Sequence, residues 1–447
     1  YDDSADNNEF ICSDDDGDTC DDCSNGQYDL DNDGDDDDAD GICNETDVCD
    51  GGDDSLDDDS DGIPNACDVD IYLSSGANFI SFHALPGDNS VENIFSSLVN
   101  LGVKILGDSE SGATQYIDGL GWIGSLLEVD RLSGYWVIID SSTFLNVEGA
   151  PTDPNTIFAL DINVNSVSYP FSGSALIENT IPEYAQESII GIFGSGSAAL
   201  NTSNGWIGGL TALEGEAGYW FITTEAVSFS YNPPVDGAAR IASPIRSVPL
   251  VYTYEQSTEQ AFYFVNSATI NGLDIEKDDL IIAYNDNVIV GSRYWYGEAT
   301  DIPAMGAGYS QLPGYCVEGD EIEFKIWDDS DQKLVDMYSD IKINWSANGL
   351  NLINLSDMQI IPEKISFGHA YPNPFNPTTM LTYDIPKEMN VEIMVYDMNG
   401  RLVSELHTGM HEPGHHELHW DASHQSSGIY FVTFESGSHR MTQKLML

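Results

Sequence analysis

Basic side chains are scarce in this chain, and their scarcity excludes two kinds of partner. Only 14 Lys and Arg stand against 76 Asp and Glu in 447 residues, which gives a formal net charge of −62. The N-terminal segment 1–70 contains no Lys or Arg at all. Such a surface repels the phosphates of nucleic acids and the headgroups of anionic membranes. We therefore expect no nucleic-acid partner and no membrane insertion.

Long hydrophobic runs are also missing, as are two common catalytic motifs. No apolar run approaches the roughly 20 residues of a membrane-spanning helix. The sequence has no G-x-S-x-G nucleophile elbow and no phosphate-binding P-loop. Paired acids are so common that no pair stands out as a catalytic dyad. We therefore expect that the protein is not an enzyme.

What the chain has in excess is aspartate at regular spacing. The pattern D-x-D-x-D-G-x5-D starts at Asp29, Asp36 and Asp57, and an incomplete copy starts at Asp14. Oxygen ligands at positions 1, 3, 5 and 12, around a turn-forming Gly at position 6, are what a Ca²⁺ loop needs. The sequence therefore predicts Ca²⁺ as the cofactor. The predicted ligands are Asp14, Asp16, Asp18, Asp29, Asp31, Asp33, Asp36, Asp38, Asp40, Asp47, Asp57, Asp59, Asp61 and Asp68.

These loops differ from EF-hands in two respects. Position 12 is Asp rather than Glu, and no amphipathic helices flank the loops. Asp40 is position 12 of the first loop and position 5 of the second, so one carboxylate can bridge two ions. The alternative is a solvated acidic tail, which is the usual fate of a block of like charges. Without Ca²⁺ the segment has too little apolar surface to fold.

Six of the seven cysteines lie in the same acidic segment. An even set in a segment without a hydrophobic core predicts disulfides formed in an oxidising compartment, although six cysteines allow 15 pairings. Zinc or redox chemistry at Cys20-x-x-Cys23 is the alternative. The remaining cysteine, Cys316, is expected to be a small buried hydrophobic residue. The predicted disulfide cysteines are Cys12, Cys20, Cys23, Cys43, Cys49 and Cys67.

Residues 12–70 resemble thrombospondin type 3 repeats. The resemblance is carried by Cys23-Ser-Asn-Gly-Gln27, by the Asp29 loop and the run to Cys43, and by Asp57–Gly62 leading to Cys67-Asp68. It implies a coreless fold that wraps around Ca²⁺ ions and is held by disulfides. By analogy with that family the expected pairing is sequential: Cys12–Cys20, Cys23–Cys43 and Cys49–Cys67.

The middle of the chain contains an internal duplication. Gly121-Trp-Ile-Gly124 recurs as Gly205-Trp-Ile-Gly208, and Gly134-Tyr-Trp136 recurs as Gly218-Tyr-Trp220, at the same offset in both cases. Ser81-Phe82 matches Ser168-Tyr169 at a slightly larger offset. Short apolar runs broken by Gly, Ser and Asn predict β-structure. One short helix is expected over residues 90–99, capped by Asn89 or Ser90.

The paired tryptophans of the duplication allow several interpretations. Trp136 and Trp220 lie in apolar runs and are expected to face the core. Trp122 and Trp206 stand beside glycines in expected loops and are better candidates for the surface. Packing is the favoured role, with sugar binding and contacts with other chains as alternatives.

Residues 237–357 are predicted to form another β-rich domain, of sandwich type. Strand-like runs are Ala261–Val265, Leu280–Tyr284, Val288–Ser292 and Glu321–Trp327. A group of acidic residues lies near the expected turns and is expected to cap them, with an extra Ca²⁺ site as the alternative: Asp278, Asp279, Asp328, Asp329 and Asp331.

The C-terminal segment, from about residue 366 to Leu447, resembles the type A C-terminal sorting domain of the bacterial type IX secretion system. The matching runs are Ala370–Thr379, Val395–Val403, Trp420-Asp421, Ser427–Val432 and Gln443–Leu447. The resemblance implies a seven-strand sandwich, the secretion machinery as a partner, and export across the outer membrane of a Gram-negative bacterium to the surface or medium. Four histidines bracket the turn Pro413-Gly414 and are expected to be solvated, with a metal site as the alternative: His411, His415, His416 and His419.

Together these patterns predict a mostly β, multidomain string of sandwich-like domains behind a coreless, disulfide-held, calcium-binding segment. The expected boundaries are 1–70, 71–152 and 153–236 for the repeat copies, 237–357, and 358–447. The favoured function is a secreted structural protein that self-assembles into a filament, tube or sheath stiffened or bridged by Ca²⁺. The alternatives are a surface adhesin that binds a glycan, and a non-catalytic part of a larger secreted enzyme.

Overall fold

The computed structural model of the chain is dominated by β-strands. It describes residues 14, 15, 17, 19–24, 26–29, 34–36, 38, 40–44, 46–108, 111–234, 246–342, 344–358 and 364–447. The helices there are only three or four residues long, which confirms the mostly β class. In the described part of the chain, no helix has the length and apolar character needed to cross a membrane.

Two compact units make up the chain. The first comprises residues 1–262, 303–315 and 347–350, and the second comprises 263–302, 316–346 and 351–447.

The first repeat copy, in the first unit, begins directly after the acidic segment. Its helix follows the expected cap, since Ser90 Oγ accepts a hydrogen bond from the Asn93 N–H at 3.3 Å. Its elements are β1 (Asp68–Leu73), β2 (Gly76–Ile80), β3 (Ala84–Leu85), α1 (Val91–Ile94), a 3₁₀ turn (Ser96–Leu98), β4 (Lys104–Leu106), β5 (Ala113–Ile117), β6 (Gly121–Gly124), β7 (Tyr135–Ile139), β8 (Thr143–Glu148) and β9 (Ala150–Pro151).

The second copy repeats this arrangement. Its elements are β10 (Phe158–Leu160), β11 (Asn163–Val167), β12 (Ser174–Leu176), α2 (Ile177–Thr180), α3 (Glu183–Gln186), β13 (Ile189–Phe193), β14 (Ala198–Thr202), β15 (Gly205–Gly208), β16 (Ala212–Glu214), β17 (Tyr219–Thr223) and β18 (Val227–Phe229). The five-stranded sheets run β2-β7-β4-β5-β6 and β11-β17-β13-β14-β15, and the ribbon β1–β8 corresponds to β10–β18. The duplication predicted from the sequence is therefore a duplication of fold.

Equivalent side chains repeat the same hydrogen bonds in both copies. Asn78 accepts from the Ser74 N–H and donates to the Ser74 carbonyl, and Asn165 does the same with Asp161, all at 2.8 Å. The hydroxyl of Tyr135 accepts the Asp130 N–H, and that of Tyr219 accepts the Glu214 N–H. These contacts hold the turns that enter and leave the sheets.

The two copies contact each other reciprocally. The Ser81 N–H donates to the Glu216 carbonyl at 3.0 Å, while the Ser168 N–H donates to the Leu132 carbonyl at 2.9 Å. Because position 132 of the first copy corresponds to position 216 of the second, each copy gives and receives the same contact. This reciprocity is that of a two-fold dimer interface built within one chain.

An aromatic stack fills the interface between the copies. Phe79 lies between Trp136 and Trp220, with ring centroids 4.6 and 5.4 Å away and planes within 18° of parallel. Trp136 is buried, as expected, but both tryptophans pack at the interface between the copies, because alternation along the strand turns Tyr135 and Tyr219 toward the core of each copy. Trp122 and Trp206 lie in strands rather than in the expected loops, and both are partly buried against the cores, which is the packing role favoured from the sequence.

The last glycine of the first Gly-Trp-Ile-Gly motif, Gly124, has a steric basis. A Cβ added to Gly124 would lie 2.1 Å from the Ala113 carbonyl oxygen and 2.4 Å from Thr114 Cα on the adjoining strand. We expect Gly124→Ala to destabilise the first copy by about 1–3 kcal/mol, because backbone atoms must move. Chemical denaturation would measure this, with Gly87→Ala as the control, since a Cβ there meets open space. Equal midpoints for the two variants would contradict the steric account.

The middle of the chain forms an eight-stranded sheet with the order β20-β19-β26-β25-β24-β21-β22, and β23 pairs with β19. The four strand-like runs predicted from the sequence are confirmed. A 3₁₀ turn (Leu250–Tyr252) precedes the strands, which are β19 (Gln260–Ile270), β20 (Leu273–Asp274), β21 (Leu280–Asn285), β22 (Val288–Tyr294), β23 (Thr300–Met305), β24 (Glu323–Asp328), β25 (Lys333–Ser339) and β26 (Leu350–Ser356).

The C-terminal part has the seven strands expected. Sheets β27-β28-β31 and β30-β29-β32-β33 enclose a core that includes Tyr383, Val395, Trp420 and Phe434. The strands are β27 (Ser366–Phe367), β28 (Thr378–Ile385), β29 (Met389–Asp397), β30 (Leu402–His411), β31 (Gly414–Asp421), β32 (Ile429–Ser436) and β33 (His439–Met446).

Candidate metal centre

The second and third Asp loops adopt the same turn at their glycines. The Gly41 N–H donates to Asp36 Oδ2 at 3.1 Å, and the Gly62 N–H donates to Asp57 Oδ2 at 3.0 Å. The two glycines have φ of +89° and +96°, a region that favours Gly. Position 6 therefore folds the chain back toward the carboxylate at position 1 in both loops.

The carboxylates at positions 3 and 5 are also held alike. Asp38 and Asp59 each accept the N–H two residues further on at 3.1 Å. Asp40 and Asp61 do the same for the N–H groups of positions 42 and 63, at 2.8 and 2.9 Å. All four bonds engage Oδ1, so the backbone of each loop fixes the direction in which its carboxylates point.

Carboxylate oxygens converge at three places in the described residues. Those of Asp36, Asp38 and Asp40 lie within 4.8 Å of one another, as do those of Asp57, Asp59 and Asp61, and those of Asp59, Asp68 and Asp70. Asp59 thus belongs to two groups. Asp70 was not predicted, because it lies on strand β1 beyond the loop pattern. Its alternation with Asp68 along the strand, which puts both on one face, was the available signal.

The convergence is electrostatically costly without a cation. Burial raises the pKa of Asp68 to about 6, with further increases from Asp70, Asp61 and Asp59. Burial also raises the pKa of Asp47 to about 6, and Asp54 adds to the shift. Segment 1–70 has no Lys or Arg that could offset these charges.

The donor set suits a hard cation. Every converging atom is a carboxylate oxygen, and Ca²⁺ takes six to eight oxygen ligands in flexible geometry. In the incomplete copy Asp14 Oδ1 accepts the Gly17 N–H at 2.8 Å, which is again a turn at a glycine. Among the residues that the structure describes, Asp14, Asp29 and Asp47 belong to no converging group. The predicted ligands Asp16, Asp18, Asp31 and Asp33 lie outside the described residues.

The disulfides correct the pairing expected by analogy. Cys20 pairs with Cys43, so neither the Cys12–Cys20 nor the Cys23–Cys43 bond forms, whereas Cys49–Cys67 is as expected. Cys23 is also disulfide-bonded, and Cys12 lies outside the described residues. The path of the chain decides the pairing, because it brings the Cα atoms of Cys20 and Cys43 to 5.4 Å from each other. This disulfide packs against Gly34, where an added Cβ would lie 2.0 Å from Cys20 Sγ.

Two further sequence expectations concern the second unit. Asp279 and Asp328 are buried, and each carboxylate accepts backbone N–H groups, from Asp329 and Asp331 respectively, so both serve as caps. Cys316 is buried and not disulfide-bonded, as expected, and burial raises the pKa of its thiol to about 12.

Of the four histidines that bracket the turn, His411, His415 and His416 are partly buried rather than solvated, whereas His419 is exposed as expected. The ring of His411 packs between those of His407 and His416, with centroids 3.9 and 4.5 Å away, and its Nδ1 is 2.8 Å from the Tyr383 hydroxyl. Residues 411–415 read H-E-P-G-H, the spacing of a zinc-binding H-E-x-x-H. That motif requires a helix to align its histidines. Here a hairpin separates them, and His415 instead contacts Asp384 at 2.7 Å.

The packed histidines predict an acid-sensitive tail. Burial, followed by the charges of His407 and His416, lowers the pKa of His411 to about 4. Because the folded state favours the neutral ring, stability is complete above about pH 6.5 and is lost as the pH falls toward 4. We expect His411→Phe to lose less stability than the natural protein between pH 7.5 and 4.5. Calorimetric unfolding of the tail would measure the difference, and identical pH dependence in both proteins would contradict the prediction.

Comparison with known proteins identifies the tail. Residues 369–447 match the family described as secretion system C-terminal sorting domain. The chain therefore carries a type IX sorting domain, which indicates contact with that secretion machinery during export. It also indicates export across the outer membrane to the cell surface or extracellular space. No curated protein matches the chain.

Solved structures are only remotely similar. Dimeric latent PorU from Porphyromonas gingivalis is 11% identical, covering 86% of this chain and 30% of its own, at a TM-score of 0.16. The CupB2 chaperone of Pseudomonas aeruginosa is 13% identical, and the match covers 42% of this chain and 93% of the chaperone at a TM-score of 0.12. A tetra-tandem repeat from the extending region of a large adhesion protein is 12% identical, and the match covers 86% of this chain and 96% of the repeat structure at a TM-score of 0.14. The chain thus spans less than a third of the length of PorU, and scores this low support no conclusion about fold or function.

Proposed function

We propose that this protein is an exported, calcium-binding structural protein of the bacterial surface or extracellular matrix. Its chains would assemble into a filament, tube or sheath, with Ca²⁺ stiffening the N-terminal segment or bridging subunits. The observation that carries the proposal is the repeated turn at Gly41 and Gly62, which gathers carboxylates in two successive loops.

The chemistry of the loops favours Ca²⁺ over other cations. Zinc prefers nitrogen and sulfur ligands, and the converging groups offer only carboxylate oxygens. Mg²⁺ demands a tight octahedron and keeps most of its water, whereas Ca²⁺ accepts irregular sets with many oxygens. The resemblance of residues 12–70 to thrombospondin type 3 repeats supports the same choice.

The charge of the chain makes assembly dependent on cations. Two copies at −62 each repel one another, and monovalent salt screens that repulsion only beyond a Debye length of about 8–10 Å. A divalent ion held between carboxylates of two chains removes the repulsion where they meet. Ca²⁺ would then act as the signal for assembly outside the cell.

Electron microscopy of the purified chain would test the proposal. We expect ordered polymers in millimolar Ca²⁺ that disperse after chelation, and none in Mg²⁺ at the same ionic strength. Isothermal titration of the same sample would report Ca²⁺ binding separately. Particles that bind Ca²⁺ yet stay monomeric would refute assembly alone, and absence of Ca²⁺ binding would refute the whole proposal.

A further inference from the structure

An exposed aromatic pair occupies the outer face of the ribbon β1–β8. Tyr72 and Phe144 lie directly opposite each other in the register, with ring centroids 5.2 Å apart. Their side chains are 58% and 60% exposed, whereas the neighbouring side chains of Ile71 and Leu145, which face inward, are buried. The hydrophobic core of the copy therefore does not use these two rings.

The second copy shows what the fold itself requires at this position. The pair equivalent to Tyr72 and Phe144 is Ala159 and Ser228, which also face each other in an antiparallel register and are exposed. The ribbon β10–β18 thus forms with two small side chains. The fold of the first copy therefore does not require the aromatic pair.

Tyr72 stands at the edge of a groove between the two copies. The groove has a volume of about 690 Å³. The first copy contributes Asp70 and Tyr72 to its lining and the second contributes Glu214 and Glu216, and most of the remaining lining is Ser, Thr, Asn, Gly and aliphatic residues. No Lys or Arg is among the described residues that line it. Such a lining repels anions and offers many acceptors to a ligand rich in hydroxyl groups.

We propose that this groove and the adjoining aromatic pair bind a neutral saccharide. The ring planes of Tyr72 and Phe144 are inclined by 62°, so the C–H face of one pyranose ring would lie against Tyr72 and that of a neighbouring sugar unit against Phe144. Aromatic faces carry negative charge density that attracts polarised C–H groups. Sugar hydroxyls would donate to the carboxylates of Glu214 and Glu216. A second copy of this chain fits the groove poorly, because it would bring more negative charge to three carboxylates.

Affinity electrophoresis of the full chain, in gels containing neutral β-glucan, xylan or mannan with Ca²⁺ present, tests the site. We expect at least one polysaccharide to retard the natural protein. The double variant Tyr72→Ala/Phe144→Ser should bind it about tenfold more weakly, because both stacking faces are lost. This variant reproduces the pair of the second copy, so its fold should be retained. Tyr184→Ala, which removes a comparably exposed tyrosine elsewhere, should bind normally.

The outcomes separate this site from the proposed calcium function. Asp57→Asn removes a carboxylate of a group that excludes Asp70, so it should weaken Ca²⁺ binding and leave saccharide binding intact. The proposal is overturned if no polysaccharide retards the natural protein, or if the double variant binds as well as it does. The proposal would also be overturned if the double variant changed the sedimentation of the chain but not its polysaccharide binding, because the aromatic pair would then be a contact between chains.

Discussion

Asp59→Asn is expected to weaken Ca²⁺ binding more than any other single change in the acidic segment. Asp59 is the only described residue whose carboxylate belongs to two of the converging groups, with Asp57 and Asp61 on one side and Asp68 and Asp70 on the other. Ca²⁺ affinity follows the number of charged ligands, and Asp59→Asn removes one carboxylate from each of two groups. The affinity should therefore fall at least about tenfold at each site, which corresponds to about 1.4 kcal/mol of binding free energy.

Isothermal titration calorimetry of the full chain would measure the effect of Asp59→Asn. The matched control is Asp58→Asn, which removes the same charge one residue away and outside the converging groups. Asp57→Asn should give an intermediate result, because it touches one group only. If Asp58→Asn and Asp59→Asn lower the affinity equally, net charge rather than the loop geometry holds the ion.

Phe79→Ala should be among the most destabilising substitutions in the first unit. The ring is buried and stacked between Trp136 and Trp220, and large-to-small changes at such positions cost about 3–5 kcal/mol. The second copy offers no replacement, because its equivalent residue is Ser166, which instead bonds to Gly134. Loss of Phe79 would therefore leave a cavity between the copies.

Denaturant unfolding followed by tryptophan fluorescence would measure this loss, because the tryptophans of the stack report on the interface. Phe144→Ala is the control, since that phenylalanine is exposed and surface changes stay within about 0.5 kcal/mol. An unfolding midpoint for Phe79→Ala that matches the control would mean that the stack does not hold the copies together.

The sequence revealed the spacing of the candidate site but not its grouping. Positions 1, 3 and 5 of the second and third loops converge because the intervening turn is local, and its glycines are visible in the sequence. Asp68 instead joins Asp59 and Asp70, which depends on how strand β1 leaves the loop. The pairing of Cys20 with Cys43 likewise depends on the path of the chain in three dimensions, which spacing does not encode.

A similar division holds for the β-domains. The recurrence of two motifs at one constant offset was enough to predict two copies of one unit. It could not show that Trp136 and Trp220 would meet across an interface, because periodicity within a strand says which side chains share a face but not what covers that face. The strand number of the tail was predictable from its resemblance to a known family, with which its local turns and alternating strands agree. The packing of His411 was not, since it depends on the contact of β30 with β28 and β31.

The position of the Cys49–Cys67 disulfide has a mechanical consequence for a surface protein. Asp68, the first residue of β1, follows Cys67 directly, so tension applied at Cys49 passes through the sulfur bridge into a strand held by six residue pairs to β8. Positions 57–66 of the third loop lie inside the bridge and bear none of that load. Without the bridge, a pull could extend this stretch to about 60 Å. With it, the span of the chain stays fixed under load whether or not the loop holds an ion.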